Sequence, residues 1–593
     1  MKSFFKYTMA SLLALILFSV VSTIITIVSF AGMMAMDGMT PPVKDNSILR
    51  INLKGILPEQ TEENPLAMFM GGNKESLPGL QTLTEAIRKA GENEHIKGIY
   101  IEDAMLAANP ATLQELRQAL TDFKKSGKFI IAYSDNYSQS GYYICSVADK
   151  VMVNPEGLID WHGLASETLF FKDALEKVGV RMQVFKVGTF KSAVEPFTNS
   201  EMSEANREQI TSFLGNIWKN MLLEVSEDRK INVDKLNALA DEYTALHPAQ
   251  YLIDNRLADT LTYIDGVKDY LKKKMEIDED KALNFVSPKE MVSAEIPDFK
   301  EEKEKIAVYY AVGSIVQTAD DGFSIGSKDP QIVGEKVIDD LRALREDDDV
   351  KAVVLRVNSG GGSAYASEQI WREVELLKEK KPVVVSMGGM AASGGYYISC
   401  GANKIYAEPT TLTGSIGIFG MIPDISELVT QKVGVKFDAV KTNALSDMGT
   451  MSRPMNAEES RLMQAMVERG YETFTGRVAI GRKMPIEKVK TIAEGRVWTG
   501  EQAKELGLVD KLGSLSDAVK TAAKLAKVEK YNTVDYPTPE PWFTQFLNNQ
   551  KSNYLDAELR NTLGEYYTTF SLLRNLRNQD RLQTRLPFDP NIK

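Results

Sequence analysis

The chain contains a second copy of itself, and this duplication limits its possible folds more than any other feature of the sequence. The segment GYYIC at residues 141–145 recurs as GYYIS at residues 395–399, so that equivalent positions lie 254 residues apart. The same spacing pairs Lys97 with Lys351, Phe129-Ile130-Ile131 with Val383-Val384-Val385, and Pro155-Glu156-Gly157-Leu158 with Pro409-Thr410-Thr411-Leu412. Such self-similarity predicts two domains of one fold, near residues 47–300 and 303–535.

Each copy alternates short β-branched runs with helical patterns, which is typical of α/β layering with parallel strands. In the C-terminal copy the predicted strands are residues 305–312, 352–358, 382–387 and 404–408, and the predicted helices are residues 333–346 and 364–379. The small-residue stretch at 388–392 is predicted to be a turn, after which Ser393 begins a helix.

The two copies differ where chemistry is expected. Lys191, in the N-terminal copy, has no lysine opposite it in the segment KTNALSD at residues 441–447. In the other direction, the C-terminal copy has Ser393, Ser415 and the loop Gly360–Gly362 where the N-terminal copy has Gln139, Trp161 and the glycine-free stretch 104–108. One copy therefore holds a serine and the other a lysine, which indicates that the two build one site together.

Ser393 follows a predicted buried strand and stands among glycines. A serine at a strand-to-helix junction has an exposed hydroxyl beside helix N–H groups, which suits a nucleophile whose transition state gains negative charge. The alternative is an ordinary N-cap serine, which also prefers a helix start. This stretch by itself leaves both interpretations open.

A serine hydroxyl is a poor nucleophile unless a neighbouring base takes its proton. None of the three histidines, His95, His162 and His247, lies in a catalytic pattern, so a neutral lysine is the main candidate. Burial disfavours the charged ammonium, and the small apolar neighbours of Lys191 suit such burial. Glu195 would oppose it if it lay close, and a solvated surface lysine is the alternative.

The glycine loop and the residue after the serine are the predicted oxyanion donors, through the N–H groups of Gly362 and Gly394. A phosphate-binding loop is disfavoured because the GxxxxGK[ST] pattern is missing. The two cysteines, Cys145 and Cys400, are predicted to be small buried apolar residues. We therefore expect neither a metal nor a cofactor.

The net charge of −11 argues against nucleic acid as the main partner, because phosphate binding needs a basic surface. The run from Met9 to Met36 carries no charged residue and is long enough to span a bilayer. Lys2 and Lys6 precede it, which predicts a cytoplasmic N-terminus and, in a bacterium, a periplasmic bulk. A signal peptide cleaved near Ser29–Gly32 is the alternative.

These motifs resemble the family of signal peptide peptidase A (SppA, peptidase family S49) in its long, duplicated form. The resemblance rests on SMGGMAASGGYYIS with TLTGSIGIFG, on RVNSGGGSAYASE and on VGTFKSAVEPF. It implies a ClpP/crotonase-like fold in both copies and a membrane-anchored serine protease with Ser393 as nucleophile and Lys191 as general base. It further implies that Ser415 hydrogen-bonds the lysine and that Gly362 contributes to the oxyanion hole. The expected substrates are cleaved signal peptides, and the expected assembly is a homotetramer.

The family usually shows NSPGG where this chain has Gly360 in place of the proline. Glycine loosens the loop but keeps the N–H donors, so we expect catalysis to survive. The expected layout is a cytoplasmic stub and anchor at 1–45, domains at 46–302 and 303–535, and a tail at 536–593 without chemistry.

Two rival functions share this fold. An acyl-CoA enzyme cannot be excluded by fold, but it would have no use for a serine and a lysine on different copies. A catalytically silent membrane scaffold is the other, and the intact serine, lysine and glycine loop count against it. The sequence leaves open whether one protomer supplies both the serine and the lysine.

Overall fold

A computed structural model of the chain describes residues 6–9, 11–22, 42–61, 77–294, 302–318, 330–537 and 582–585. Within these ranges the strands form three large sheets and one short pair of strands. Helices lie between successive strands, so the predicted α/β class with parallel sheets is confirmed.

The N-terminal copy contains strands β1 to β9 and helices α1 to α10. The strands are β1 Ser47–Asn52, β2 Gly55–Ile56, β3 Ile96–Ala104, β4 Leu106–Ala107, β5 Phe129–Tyr137, β6 Lys150–Ile159, β7 Arg181–Lys186, β8 Thr260–Leu261 and β9 Asn284–Val286. The helices are α1 Leu80–Glu92, α2 Pro110–Lys124, α3 Gln139–Cys145, α4 Lys172–Lys177, α5 Glu195–Thr198, α6 Glu204–Arg229, α7 Val233–Asp241, α8 Ala249–Asp254, α9 Ile264–Lys274 and α10 Pro288–Ser293.

The C-terminal copy and the tail contain strands β10 to β22 and helices α11 to α17. The strands are β10 Lys305–Val312, β11 Ser314–Val316, β12 Gln331–Val333, β13 Val350–Ser359, β14 Gly361–Ser363, β15 Val383–Ala392, β16 Lys404–Ala407, β17 Leu412–Gly414, β18 Phe419–Asp424, β19 Val497–Thr499, β20 Lys511–Leu512, β21 Asn532–Tyr536 and β22 Leu582–Arg585. The helices are α11 Gly334–Glu346, α12 Ala364–Lys380, α13 Gly394–Ser399, α14 Ala457–Arg482, α15 Ile486–Ile492, α16 Gly500–Leu506 and α17 Leu515–Ala526.

The two main sheets repeat one strand order. Parallel pairing runs β9-β1-β3-β5-β6-β8 in the N-terminal copy and β21-β10-β13-β15-β16-β20 in the C-terminal copy. Their central residues, such as Ile99 and Val354, are buried because helices cover both faces of a parallel sheet. The duplication therefore extends from the residues to the order of the strands.

One predicted boundary is wrong. The stretch at 388–392, expected to be a turn, continues β15 up to Ala392, where Met390–Ala392 pair with β17. The glycines there serve close packing instead, since a Cβ on Gly389 would lie 2.7 Å from the Asn109 side chain. Small residues thus bring the two copies together beside the end of β15.

A third sheet, here called the composite sheet, joins both copies and the tail. Its order is β12-β11-β14-β22-β18-β7. Strand β7 comes from the N-terminal copy and pairs antiparallel with β18, from Lys186 opposite Phe419 to Arg181 opposite Asp424. The composite sheet therefore fixes the segment after β7 against the C-terminal copy.

The predicted membrane anchor lies only partly within the described residues. None of the helices formed by the described residues is long and apolar enough to cross a bilayer. Residues 10 and 23–36 of the uncharged run Met9–Met36 lie outside the described ranges, as does the helical pattern of Leu555, Leu559 and Leu563 in the tail.

Candidate active site

Ser393 lies at the junction between β15 and α13 in a conformation that serines rarely adopt. Its φ is 55° and its ψ is −113°, a strained region that persists only where the surroundings impose it. The Ser393 N–H donates to the Gly414 carbonyl at 2.8 Å. Its side chain forms no capping bond to the helix. Ser393 therefore stands at the N-cap position without capping the helix through its side chain, and the hydroxyl is available for another partner.

Lys191 reaches this junction from the other copy. It follows β7 by five residues, and the N–H of the preceding residue, Phe190, donates to the Glu494 carbonyl at 3.0 Å. A Cβ on Gly495, whose φ is +78°, would lie 2.7 Å from Lys191 Cβ. Glycine is required there because any side chain would push the lysine out of place.

The lysine nitrogen meets both serines. Lys191 Nζ lies 2.8 Å from Ser393 Oγ, 3.0 Å from Ser415 Oγ and 3.1 Å from the Ser415 carbonyl oxygen. All three side chains are fully buried. The structure thus brings two of the predicted site residues, Ser393 and Ser415, within hydrogen-bond distance of a third, Lys191.

Burial lowers the pKa of Lys191 well below its ordinary value, because the charged ammonium loses its water. Glu195, the acidic neighbour expected to oppose this if close, is bound elsewhere. Its carboxylate accepts from the Ser203 hydroxyl at 2.5 Å and from the Ser203 N–H at 3.2 Å. A neutral lysine amine can accept a proton from Ser393 while its own N–H groups donate to Ser415.

The glycine loop lies directly beside the serine. A Cβ on Gly361 would lie 2.6 Å from the Gly394 nitrogen, and a Cβ on Gly394 would lie 3.0 Å from Gly361 Cα. Gly362, one residue further along β14, is opposite Ile315 on one side and Thr584 on the other. Backbone groups of the loop and of Gly394 therefore line one face of the site.

The equivalent position in the N-terminal copy is filled by structural residues. Gln139, opposite Ser393 in the repeat, accepts from the N–H groups of His162 and Gly163 and donates to the Gly163 carbonyl. Trp161, opposite Ser415, is fully buried and donates to the Leu236 carbonyl. At these two positions that copy therefore has no serine to pair with a lysine, in agreement with the differences read from the repeat.

Sequence reasoning missed several residues that hold the lysine segment. The buried Gln209 of α6 donates to the Phe190 carbonyl at 3.2 Å and accepts from the Val497 N–H at 3.2 Å. The Arg496 guanidinium stacks over the rings of Phe190 and Trp498. These residues carry no motif, so only their position in the folded chain reveals them.

Metal chemistry finds no support among the residues that the structure describes. No group of three or more histidine, cysteine, aspartate or glutamate side chains there could hold a metal ion. Cys145 and Cys400 are free and buried, as their predicted apolar role requires.

Residues 122–278 and 375–529 match the sequence profile of Peptidase family S49, once in each copy, and residues 319–413 match the profile of Clp protease. The chain is 40% identical to Protease 4 of Salmonella typhi over 467 residues, which cover 77% of this chain and 74% of that protein. It is 37% identical to Protease 4 of Haemophilus influenzae over 521 residues, with coverages of 84% and 82%.

A plant relative is also similar over most of the chain. The Arabidopsis thaliana protein called "Serine protease SPPA, chloroplastic" is 31% identical over 535 residues, with coverages of 89% and 77%. A solved structure of a ClpP1 mutant from Listeria monocytogenes is 16% identical, and the match covers 37% of this chain and 95% of that chain. Its TM-score is 0.24, which is too low to support an argument about the fold.

Proposed function

The chain belongs to peptidase family S49 and is a serine peptidase, and from this we propose that Ser393 and Lys191 form its catalytic pair. The resemblance to the long, duplicated SppA family is confirmed by the two matched segments and by relatives of similar length. The observation that supports the pair most directly is the 2.8 Å separation of Lys191 Nζ and Ser393 Oγ inside a fully buried site.

In the first half-reaction, Ser393 Oγ attacks the carbonyl carbon of the peptide and its proton passes to Lys191 Nζ. The carbonyl electrons move to the oxygen, which the N–H groups of Gly362 and Gly394 stabilise as an oxyanion. When the tetrahedral intermediate collapses, the C–N bond breaks and the lysine ammonium gives its proton to the departing amine. The product is an ester between the peptide and Ser393.

In the second half-reaction, water attacks the ester and Lys191 accepts the proton of the water. The ester bond breaks, and that proton returns to Ser393 Oγ as the acid product leaves. Ser415 orients the lysine throughout, because its hydroxyl and carbonyl oxygens accept two N–H bonds from Nζ. This arrangement directs the remaining lone pair of the amine at Ser393.

Apolar peptides, chiefly cleaved signal peptides, are the substrates that we propose, with small or aliphatic side chains at the cleavage site. The SppA resemblance supports this substrate class. Two ClpP/crotonase-like domains supply the scaffold, and the match to the Clp protease profile in the C-terminal copy supports this part of the proposal.

The location that we propose is the bacterial inner membrane, with a single pass, a cytoplasmic N-terminus and periplasmic domains. The uncharged run Met9–Met36 after Lys2 and Lys6 supports this arrangement. We also propose a homotetramer. Its support is an exposed apolar segment that includes Val433, Phe437 and Val440, since soluble proteins usually cover such patches with a partner.

The catalytic pair is tested by Ser393→Ala and Lys191→Ala in the detergent-solubilised full chain. Each should lower kcat/KM on an internally quenched apolar peptide by about 10³-fold or more, because removal of nucleophile or base stops acylation. Lys441→Ala is the matched control, since this exposed lysine lies in the equivalent segment of the other copy and pairs with Asp447.

Normal melting temperatures would show that the variants fold. Near-normal hydrolysis by Lys191→Ala at neutral pH would refute the pair, and absence of hydrolysis by the unmodified chain would favour a silent scaffold.

A further inference from the structure

A strand from the C-terminal tail lies inside the composite sheet at the active site. Strand β22, Leu582–Arg585, is antiparallel to β14, with Gly361 opposite Arg585 and Gly362 opposite Thr584. On its other edge β22 is antiparallel to β18, with Phe419 opposite Gln583. Because β14 carries the glycine loop and β18 follows Ser415, the tail strand separates two edges that flank Ser393.

Without β22 the composite sheet would divide into β12-β11-β14 and β18-β7. Neighbouring strands lie about 4.8 Å apart, so the two free edges would be separated by about 9.6 Å, which is the width of one extended chain. Both edges would present unpaired N–H and C=O groups, and addition of a strand to such an edge is a general way to bind a peptide. The tail therefore fills a groove shaped for an extended polypeptide.

The contacts of Thr584 place the tail at the reacting centre. Its carbonyl oxygen and the Gly394 nitrogen lie 1.9 Å and 2.6 Å from the point where a Cβ on Gly361 would be. A tail carbonyl thus lies beside the N–H group that follows Ser393. The Thr584 hydroxyl donates to the Gly362 carbonyl at 3.2 Å and lies 3.5 Å from the Ser367 hydroxyl.

The tail strand also explains why the site is closed. Ser393, Lys191 and Thr584 all have no exposed surface. A peptide substrate would need to pair with β14 and β18 to bring its carbonyl to Ser393, and those edges are already occupied. Substrate and β22 therefore cannot be bound at the same time.

We propose that residues Leu582–Arg585 occupy the peptide-binding groove in the manner of a substrate and restrain the protease by competing with it. This inference rests on the proposed function, since it takes Ser393 as the nucleophile. It also narrows the substrate class. The space that holds Thr584 is bounded by Ser367, Gly362 and Gly394, so an extended peptide should place a small side chain there.

The first test changes one residue of the tail in the full chain. Thr584→Pro removes a backbone N–H that β22 needs for pairing and should free the groove. Since the tail competes from within the same molecule, at a high effective concentration, we expect KM for a quenched apolar peptide to fall about ten-fold while kcat stays the same. Asn591→Pro, beyond the strand, is the control and should leave both constants unchanged.

An unchanged KM in Thr584→Pro would overturn the proposal. So would a loss of activity in a variant with a normal melting temperature, because β22 would then be a structural part of the working site.

The second test needs no catalysis and so separates this inference from the proposed function. A fluorescent peptide of residues 579–588 is titrated into the full chain carrying Ser393→Ala, with and without Thr584→Pro. The peptide should bind the double variant at least ten-fold more tightly, measured by fluorescence anisotropy. Equal affinity, or no binding to either protein, would overturn the inference even if hydrolysis proceeds. Tighter binding, together with no hydrolysis by the chain that keeps Ser393, would uphold the groove while the proposed catalytic function fails.

Discussion

Lys191 is an ordinary charged lysine in the unfolded chain, whereas burial lowers its pKa well below that value in the folded chain. A group with a lowered folded pKa stabilises least at low pH, because folding must then remove a proton that the unfolded state keeps. Between the two pKa values this penalty grows as the pH falls. The proposed catalytic base is therefore a residue whose burial lowers the stability of the fold.

The corresponding prediction concerns Lys191→Met, which keeps the length of the side chain but cannot ionise. It should abolish hydrolysis yet raise the melting temperature at pH 7, by a margin that increases as the pH is lowered. Thermal unfolding from pH 6 to pH 9 measures this margin, with Lys441→Met as the control. A variant that is less stable than the unmodified chain at every pH would contradict the inferred neutral state of the lysine.

Ser393 and Lys191 could be predicted because the repeat places each of them opposite a different residue. Gly495 and Gln209 could not be predicted. Gly495 acts through the lack of a side chain, and Gln209 acts through contacts with Phe190 and with Val497, which lies 288 residues from Gln209 in sequence. A single sequence carries no signal for such support. The roles of Gly362 and Gly394 as oxyanion donors stay predictions.

Strand β7 bears directly on the position of Lys191, because it carries the lysine segment across to the other copy. It lies at the edge of the composite sheet, so its loss should leave both main sheets intact. Its backbone pairing with β18, including Val184 opposite Met421, sets where the chain arrives at Ser393.

Gln183→Pro should therefore lower kcat at least about 100-fold with little change in melting temperature, because proline removes the N–H that faces Ile422 of β18. That N–H lies on the same edge of the strand as the Val187 N–H, which donates to the Ile418 carbonyl. Gln183→Ala is the control, since it keeps the backbone N–H and removes only the side chain that accepts from the Met455 N–H. Rates on the quenched peptide and thermal melts measure both effects. Normal turnover by Gln183→Pro would mean that the contacts of Phe190 and Gly495 suffice to position the lysine.

Three predicted strands of the C-terminal copy agree with β10, β13 and β16, because short runs rich in β-branched and other apolar residues are typical of buried strands. Strand β22 was missed for the opposite reason. Four residues, LQTR, show no distinctive pattern, and they form a strand only because the edges of β14 and β18 lie on either side of them.

A buried ionic cluster joins the two copies across the whole molecule. Arg356, from the C-terminal copy, binds Glu59 at 3.0 Å and Glu115 at 2.8 Å, both from the N-terminal copy. Burial raises the pKa of Glu59, and the neighbouring Arg356 partly offsets this effect. Nothing in the sequence predicted the cluster, because its members lie far apart along the chain and the two glutamates belong to no motif.

Arg356→Met should lower stability by about 3–5 kcal/mol, since it leaves two buried carboxylates without their cation. The loss should be smaller at pH 5 than at pH 8, because the pKa of Glu59 is raised by burial and this carboxylate can take up a proton at the lower pH. Calorimetry at both values measures it, with the exposed Arg342→Met, which removes a pair with Asp339, as the control. Equal losses in the two variants would show that the cluster does not couple the copies.

Because the composite sheet joins distant parts of the chain, its strands are synthesised at different times. Lys191 is translated 202 residues before Ser393, an interval of roughly 10 to 40 s at ordinary elongation rates. During that interval the nascent polypeptide carries the proposed base without the proposed nucleophile, so we expect it to have no peptidase activity. Strand β22 is translated after both residues, so the nascent chain can complete the proposed serine–lysine pair before the segment that fills the proposed groove is made.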